Sequence, residues 1–261
     1  MSRSAGTTTI LFIAVGTTPE QHSLGRSLTL HLLPGAATVS VFYLLVPVVE
    51  RLGFPPIFAF LLALPLVLVP MELGYLLYQA RKRTGSLSLA AVVDYREPVP
   101  RGSYLVWVPT LVVWAFVLAI VWAPIQPAFR DELFGWLPEG VRQPFGFEEP
   151  GRYSSAALVT TAVLFVAFNG IIGPTVEELY FRGHLLPRID RLGAWAPVVN
   201  SGFFSLYHFW SPWQFPVRLL QTLPFIYVVW RKRNIYVGIV VHCLLNTIGA
   251  IGVVPRMLAG A

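Results

Sequence analysis

Two adjacent glutamates open the chemistry of this chain. They stand in Thr175-Val176-Glu177-Glu178-Leu179-Tyr180-Phe181-Arg182-Gly183-His184, at the end of a long apolar run. Two more polar groups recur at one-turn spacing in apolar surroundings, in Phe204-Ser205-Leu206-Tyr207-His208 and in His242-Cys243-Leu244-Leu245-Asn246. Taken singly, His208, His242 and Asn246 read as hydrogen-bonded core residues or interhelical glue. Taken together with Glu177 they supply a base, two imidazoles and an amide donor. Hydrolysis of an amide bond needs that set: an activated water and donors for the developing oxyanion.

Helix geometry separates the two glutamates. Glu178 lies four residues before Arg182, the favourable order for an intrahelical ion pair. Its bland role is to neutralise that arginine and to close a capping box with Thr175 after Gly173-Pro174. Glu177 projects about 100° away on the helix, so its partner must come from elsewhere in the fold. His242 and Asn246 are one turn apart and share a face. Glu72 and His31 are the ionisable groups of the earlier apolar segments. Glu72 reads as a cavity-lining acid or as a bond to a neighbouring helix. His184 reads as an interfacial residue at the mouth of the cavity, and Cys243 as a small packing residue.

The elements that must position these groups are membrane helices. The chain has 261 residues, 55% hydrophobic and only 12% charged, against roughly 25% charged in soluble domains. Mean hydropathy is +0.64. Seven segments are expected to span, at 28–49, 55–79, 103–124, 155–172 (continuing as helix to about 186), 194–210, 216–231 and 235–254. An eighth crossing, in a re-entrant segment, is the alternative count. The fold class is therefore all-α, a polytopic helix bundle. Residues 1–26 form a polar lead-in, and 27–261 a single membrane domain. The apolar run Ile10–Val15 is too short for the core of a signal peptide.

Charge in the loops orients the bundle. Arg81, Lys82, Arg83, Arg96 and Arg101 follow the second segment, Arg188 and Arg191 the fourth, and Arg231, Lys232 and Arg233 the sixth. The loop at 125–153 instead carries Asp131, Glu132, Glu139, Glu148 and Glu149. Alternate loops are basic, which puts the N-terminus on the cytoplasmic side of the cell membrane. The formal charge of +6 is spread over these loops rather than gathered on one face, so no nucleic acid is expected as a partner. A short interfacial helix is expected at 86–93. The single cysteine, Cys243, rules out an intrachain disulfide and a cysteine metal cluster.

Glu177-Glu178-x-x-x-Arg182, Phe204-x-x-x-His208 and His242-x-x-x-Asn246, in this order and each on its own helix, resemble the three motifs of the CAAX-protease and bacteriocin-processing family (CPBP, or Abi). That family includes the type II CAAX prenyl endopeptidases. The resemblance covers roughly residues 155–250. It implies an intramembrane endopeptidase, opening towards the cytoplasm, that acts on membrane-associated or prenylated peptides or lipidated proteins. By the same resemblance Glu177 activates the attacking water and His208 shares the proton traffic or polarises the carbonyl. His242 and Asn246 support the oxyanion, and Glu178 and Arg182 are supporting residues.

Members have been described both as metalloproteases and as glutamate-dependent, metal-free enzymes. Glu177, His208 and His242 form an acceptable zinc set with one open position. Against zinc, HExxH is absent, and Asn246 is a poor zinc ligand but a good oxyanion donor. The balance tips towards no cofactor. Two other functions fit buried acids and histidines: a proton- or ion-coupled transporter, and a catalytically silent scaffold or immunity relative. The compact cluster and the lack of an inverted repeat weigh against transport. Substrate identity and oligomeric state are not written in these motifs.

Overall fold

A computed structural model describes residues 19–145 and 150–258. The expectations for residues 1–18 and for Glu148 and Glu149 fall outside these. Among the described residues the chain is helical with no strand, apart from one isolated β-bridge between Arg96 and Asn234.

Among the described residues seven helices of 13 residues or more make the bundle: α1 (Leu24–Arg51), α2 (Pro56–Thr84), α3 (Arg101–Trp122), α4 (Ser155–Leu192), α5 (Trp195–Tyr207), α6 (Phe215–Lys232) and α7 (Ile235–Leu258). Five of them, α1 to α4 and α7, are long and apolar enough to cross a membrane. The other two expected spans are helices of a different kind. α5 has 13 residues, a length of about 20 Å, short of a hydrocarbon core of about 30 Å. α6 has 18 residues and carries Arg218, Arg231 and Lys232. The pair forms a helical hairpin whose turn, 208–214, sits within the bundle. Leu44, Leu105 and Ile120 are exposed on the outer faces, the pattern of a lipid-facing surface.

Each boundary has a local cause. α1 begins at Leu24 because Ser23 caps it, its side chain accepting from the Arg26 N–H. Ser154 caps α4 in the same way. Prolines bend α2: Pro65 and Pro70 each remove a backbone donor, and π-helical turns occur at Leu64–Leu68 and Pro70–Gly74. α4 is continuous for 38 residues, but widens to π-helix at Phe165–Ile172 and again at Glu178–Leu185. Its continuity corrects one expectation. No helix starts at Thr175, so no capping box forms; the Thr175 hydroxyl instead donates to the Ile171 carbonyl, one turn back.

The basic loops meet at one end of the bundle. Arg188 Nη1 pairs with Asp94 Oδ2 at 3.1 Å. Asp190 accepts from Trp230 Nε1 at 2.6 Å and from Arg233 Nη2 at 2.8 Å. The segment before α1 docks here too, where the His22 N–H donates to the Arg188 carbonyl. The expected interfacial helix at 86–93 is reduced to one 3-10 turn, Leu89–Ala91. Val92 and Val93 are then fully buried rather than laid on a surface. His184 belongs to this tie, not to a cavity mouth: it is buried, with Nδ1 donating to the Val92 carbonyl at 2.9 Å.

Small and polar residues set the crossing of α1 with α5. A side chain at Gly35 would collide with the backbone carbonyl of Tyr207. Beside it, His31 Nδ1 donates to the Ser27 carbonyl at 2.7 Å, leaving Nε2 to accept from Asn200 Nδ2 at 2.9 Å. Asn200 also donates to the Phe181 carbonyl at 3.0 Å. One buried amide thus joins α1, α4 and α5. His31 is accounted for by this structural network.

Candidate active site

The two glutamates leave α4 in different directions and meet the same imidazole. Glu178 Oε1 lies 3.1 Å from Arg182 Nη1, both side chains wholly buried. The same oxygen accepts from His242 Nδ1 at 2.9 Å. With Nδ1 as donor, the other ring nitrogen of His242 faces Glu177, where Nε2 and Oε2 are 3.7 Å apart. That distance is beyond a direct hydrogen bond. Nε2 and a carboxylate oxygen are both acceptors, so a proton on one of them makes the contact favourable. Glu177 is 6% exposed and His242 8%, so both are nearly sealed from the surroundings. The partner that Glu177 lacks on its own helix comes from α7.

Close approach of α7 depends on Gly238. A Cβ there would stand 2.7 Å from Glu178 Oε2 and 3.0 Å from Val229 Cγ2. The first is closer than real Cβ contacts come and the second is tight, so a side chain here would have to displace the Glu178 carboxylate.

Phe204 ties the second motif to the first. The Arg182 guanidinium sits over its ring, 3.9 Å from the centroid. The ring also meets His208 edge-on at 4.8 Å and His242 at 5.8 Å. His208 ends α5 and donates from Nδ1 to the Phe204 carbonyl at 2.8 Å. Its Nε2 is therefore left as a free acceptor. Asn246 takes a different position from the other motif residues. Its side-chain N–H donates to the Asn169 carbonyl at 2.9 Å, inside the first π-helical stretch of α4, so one of its two amide hydrogens is already committed.

Three residues join the cluster that spacing did not single out as a group. Glu72 is wholly buried and neither carboxylate oxygen has a hydrogen-bond partner. It interacts electrostatically with Glu177 and Arg182. The buried Tyr207 hydroxyl interacts electrostatically with both Glu72 and Glu177. Arg218, from the first turn of α6, acts on both His208 and Glu177. The signal for Glu72 and Arg218 was their charge in an apolar segment. Tyr207 carried no signal beyond adjoining His208.

Of the three residues named as a zinc set, Glu177 and His242 stand together, with Oε2 and Nε2 3.7 Å apart. Among the described residues no three His, Cys, Asp or Glu side chains converge as ligands for an ion. His242 presents Nδ1 to a carboxylate on one side and Nε2 to another on the opposite side.

A family model described as Rce1-like, type II CAAX prenyl endopeptidase Rce1-like, matches residues 159–248. That stretch contains all three motifs, and the resemblance read from them holds over it. No curated protein and no solved structure matches the chain.

Proposed function

We propose that this chain, which carries the Rce1-like type II CAAX prenyl endopeptidase match over residues 159–248, is a membrane-embedded peptidase acting on membrane-associated or prenylated peptides. The observation that carries the reading is His242 of α7, held between Glu178 at 2.9 Å and Glu177 at 3.7 Å. Glu178 is committed to Arg182 and orients the imidazole. Glu177 has no such commitment and is the group available for proton transfer.

In the proposed reaction Glu177 takes a proton from water as its oxygen attacks the scissile carbonyl. The tetrahedral intermediate then breaks its C–N bond, and the proton on Glu177 passes to the departing amine. The free Nε2 of His208 accepts a hydrogen bond from the water or, once protonated, donates one to the carbonyl oxygen. The free amide hydrogen of Asn246 is the donor proposed for the oxyanion, joined by His242 Nε2 once that nitrogen carries a proton.

The test uses purified protein in proteoliposomes with a peptide library carrying prenylated and unmodified C-termini. The Glu177→Gln variant is expected to lose about 10²–10⁴-fold in cleavage rate, the range for removing a general base, while unfolding at a similar temperature. If neither protein cut any peptide and the liposomes showed Glu177-dependent ion flux, the peptidase reading would give way to transport. A chelator added to the cleavage assay reads metal dependence directly.

A further inference from the structure

The buried cluster holds two arginines, and only one of them is neutralised. Arg182 has Glu178 at 3.1 Å. Arg218 has no equivalent. Its Nη2 donates to the Ser211 hydroxyl at 2.9 Å, a neutral acceptor. Its Nη1 is buried and bonded to nothing. Among the described residues no carboxylate stands within ion-pairing distance of it. Glu177 is the carboxylate whose field reaches it, from beyond contact.

Arg218 is half-buried, but its Nη1 is shielded and unbonded; a charged group left without a partner there is costly, and a guanidinium does not relieve that by losing its proton. Such a group is retained where an anion completes it. The local structure aims it. Ser211 belongs to the turn that begins at His208, so one short segment carries both the site histidine and the hydroxyl that holds the Arg218 fork. Planar, bidentate geometry suits a carboxylate better than a single charged atom.

We propose that Arg218 is a specificity residue, binding the free C-terminal carboxylate of the peptide whose scissile bond lies at Glu177. That this peptide is cleaved rests on the peptidase reading; the carboxylate site does not.

The test pairs two probes, an S-farnesyl-cysteine decapeptide as its free acid and as its C-terminal amide, against the full chain in lipid nanodiscs. Binding and cleavage are both measured. The acid is expected to bind on the order of tenfold or more tighter than the amide, the scale of a hydrogen bond to a charged group. Arg218→Gln is expected to erase that difference by weakening the acid alone, and Arg218→Lys to keep part of it. Equal affinity of the unmodified protein for acid and amide overturns the proposal without any variant. So does an Arg218→Gln protein that weakens both probes equally, since that is a general electrostatic or oxyanion role. Acid-selective binding without cleavage would sink the peptidase reading and leave the carboxylate site standing. Cleavage without acid preference would do the reverse.

Discussion

At the scale of single residues, the site is an exercise in commitment. Glu177 and Glu178 are neighbours of the same type, yet one has a dedicated cation on its own helix and the other has only a shared imidazole. Removing one member of a wholly buried pair strands the other charge, which costs about 3–5 kcal/mol. Arg182→Met is therefore expected to lower the unfolding temperature sharply. Adding Glu178→Gln should recover much of that loss, because the carboxylate that Arg182 paired is then neutral. Thermal unfolding in detergent checks this; single and double variants that unfold alike would show that charge pairing is not what Arg182 provides. Gly238→Ala is expected to destabilise by about 1–3 kcal/mol, the usual cost of overpacking. The added methyl meets Glu178 Oε2 at 2.7 Å, so cleavage should fall further than stability alone explains. Activity per folded molecule, measured beside the unfolding temperature, separates the two effects.

At the scale of elements, short helices place the chemistry. α5 and α6 turn at 208–214, which holds Ser211 on Arg218 and keeps His208 and Arg218 within the electrostatic reach of Glu177 and Arg182 of α4. The register of α5 against α1 is set by Gly35, whose Cα faces the Tyr207 backbone, one residue before His208. Gly35→Val is expected to push α5 away and move Tyr207 and His208 with it. Cleavage should be lost even in whatever fraction still folds. A folded Gly35→Val protein of ordinary activity, by size-exclusion profile and peptide assay, would mean that this crossing does not position the histidine. The π-helical turn Glu178–Leu185 lies at the same level. Such turns occur often at functional sites, and here one begins at the glutamate that orients His242.

For the whole molecule, the basic loops and the segment before α1 gather at one end, which we read as cytoplasmic. In a Cys243→Ala background, Lys82→Cys and Glu139→Cys mark the two ends. An impermeant thiol reagent added to intact cells is expected to label position 139 and not position 82; the reverse pattern would invert the topology. The docked segment also makes stability depend on pH. His22 is held down to about 4 from 6.5 by burial, with Arg26 and then Arg188 adding repulsion. The unfolded chain takes up the proton at higher pH than the folded one. The contribution of His22 is therefore complete above about 6.5 and is lost as pH falls towards 4. Between those limits the unfolding temperature of the protein should drop more steeply than that of His22→Gln, and equal slopes would show that the segment does not stay docked.

What could be read before folding was chiefly what depends on types and spacing along the chain. Apolar runs declared membrane helices because the bilayer rewards them wherever they lie. One-turn spacing declared the Glu178–Arg182 pair, since helix geometry alone brings those side chains together. The motifs on three helices, and the family match over 159–248, needed no coordinates. Spacing misled where it suggested a capping box at Thr175 and an interfacial helix at 86–93, for both depended on where the chain packs. Only the tertiary structure decided which imidazole serves Glu177, that Asn246 is half committed to α4, and that Glu72, Tyr207 and Arg218 share the same buried space. Those relations join residues far apart in the chain, and they follow from how closely the helices approach, which glycines at 35 and 238 permit.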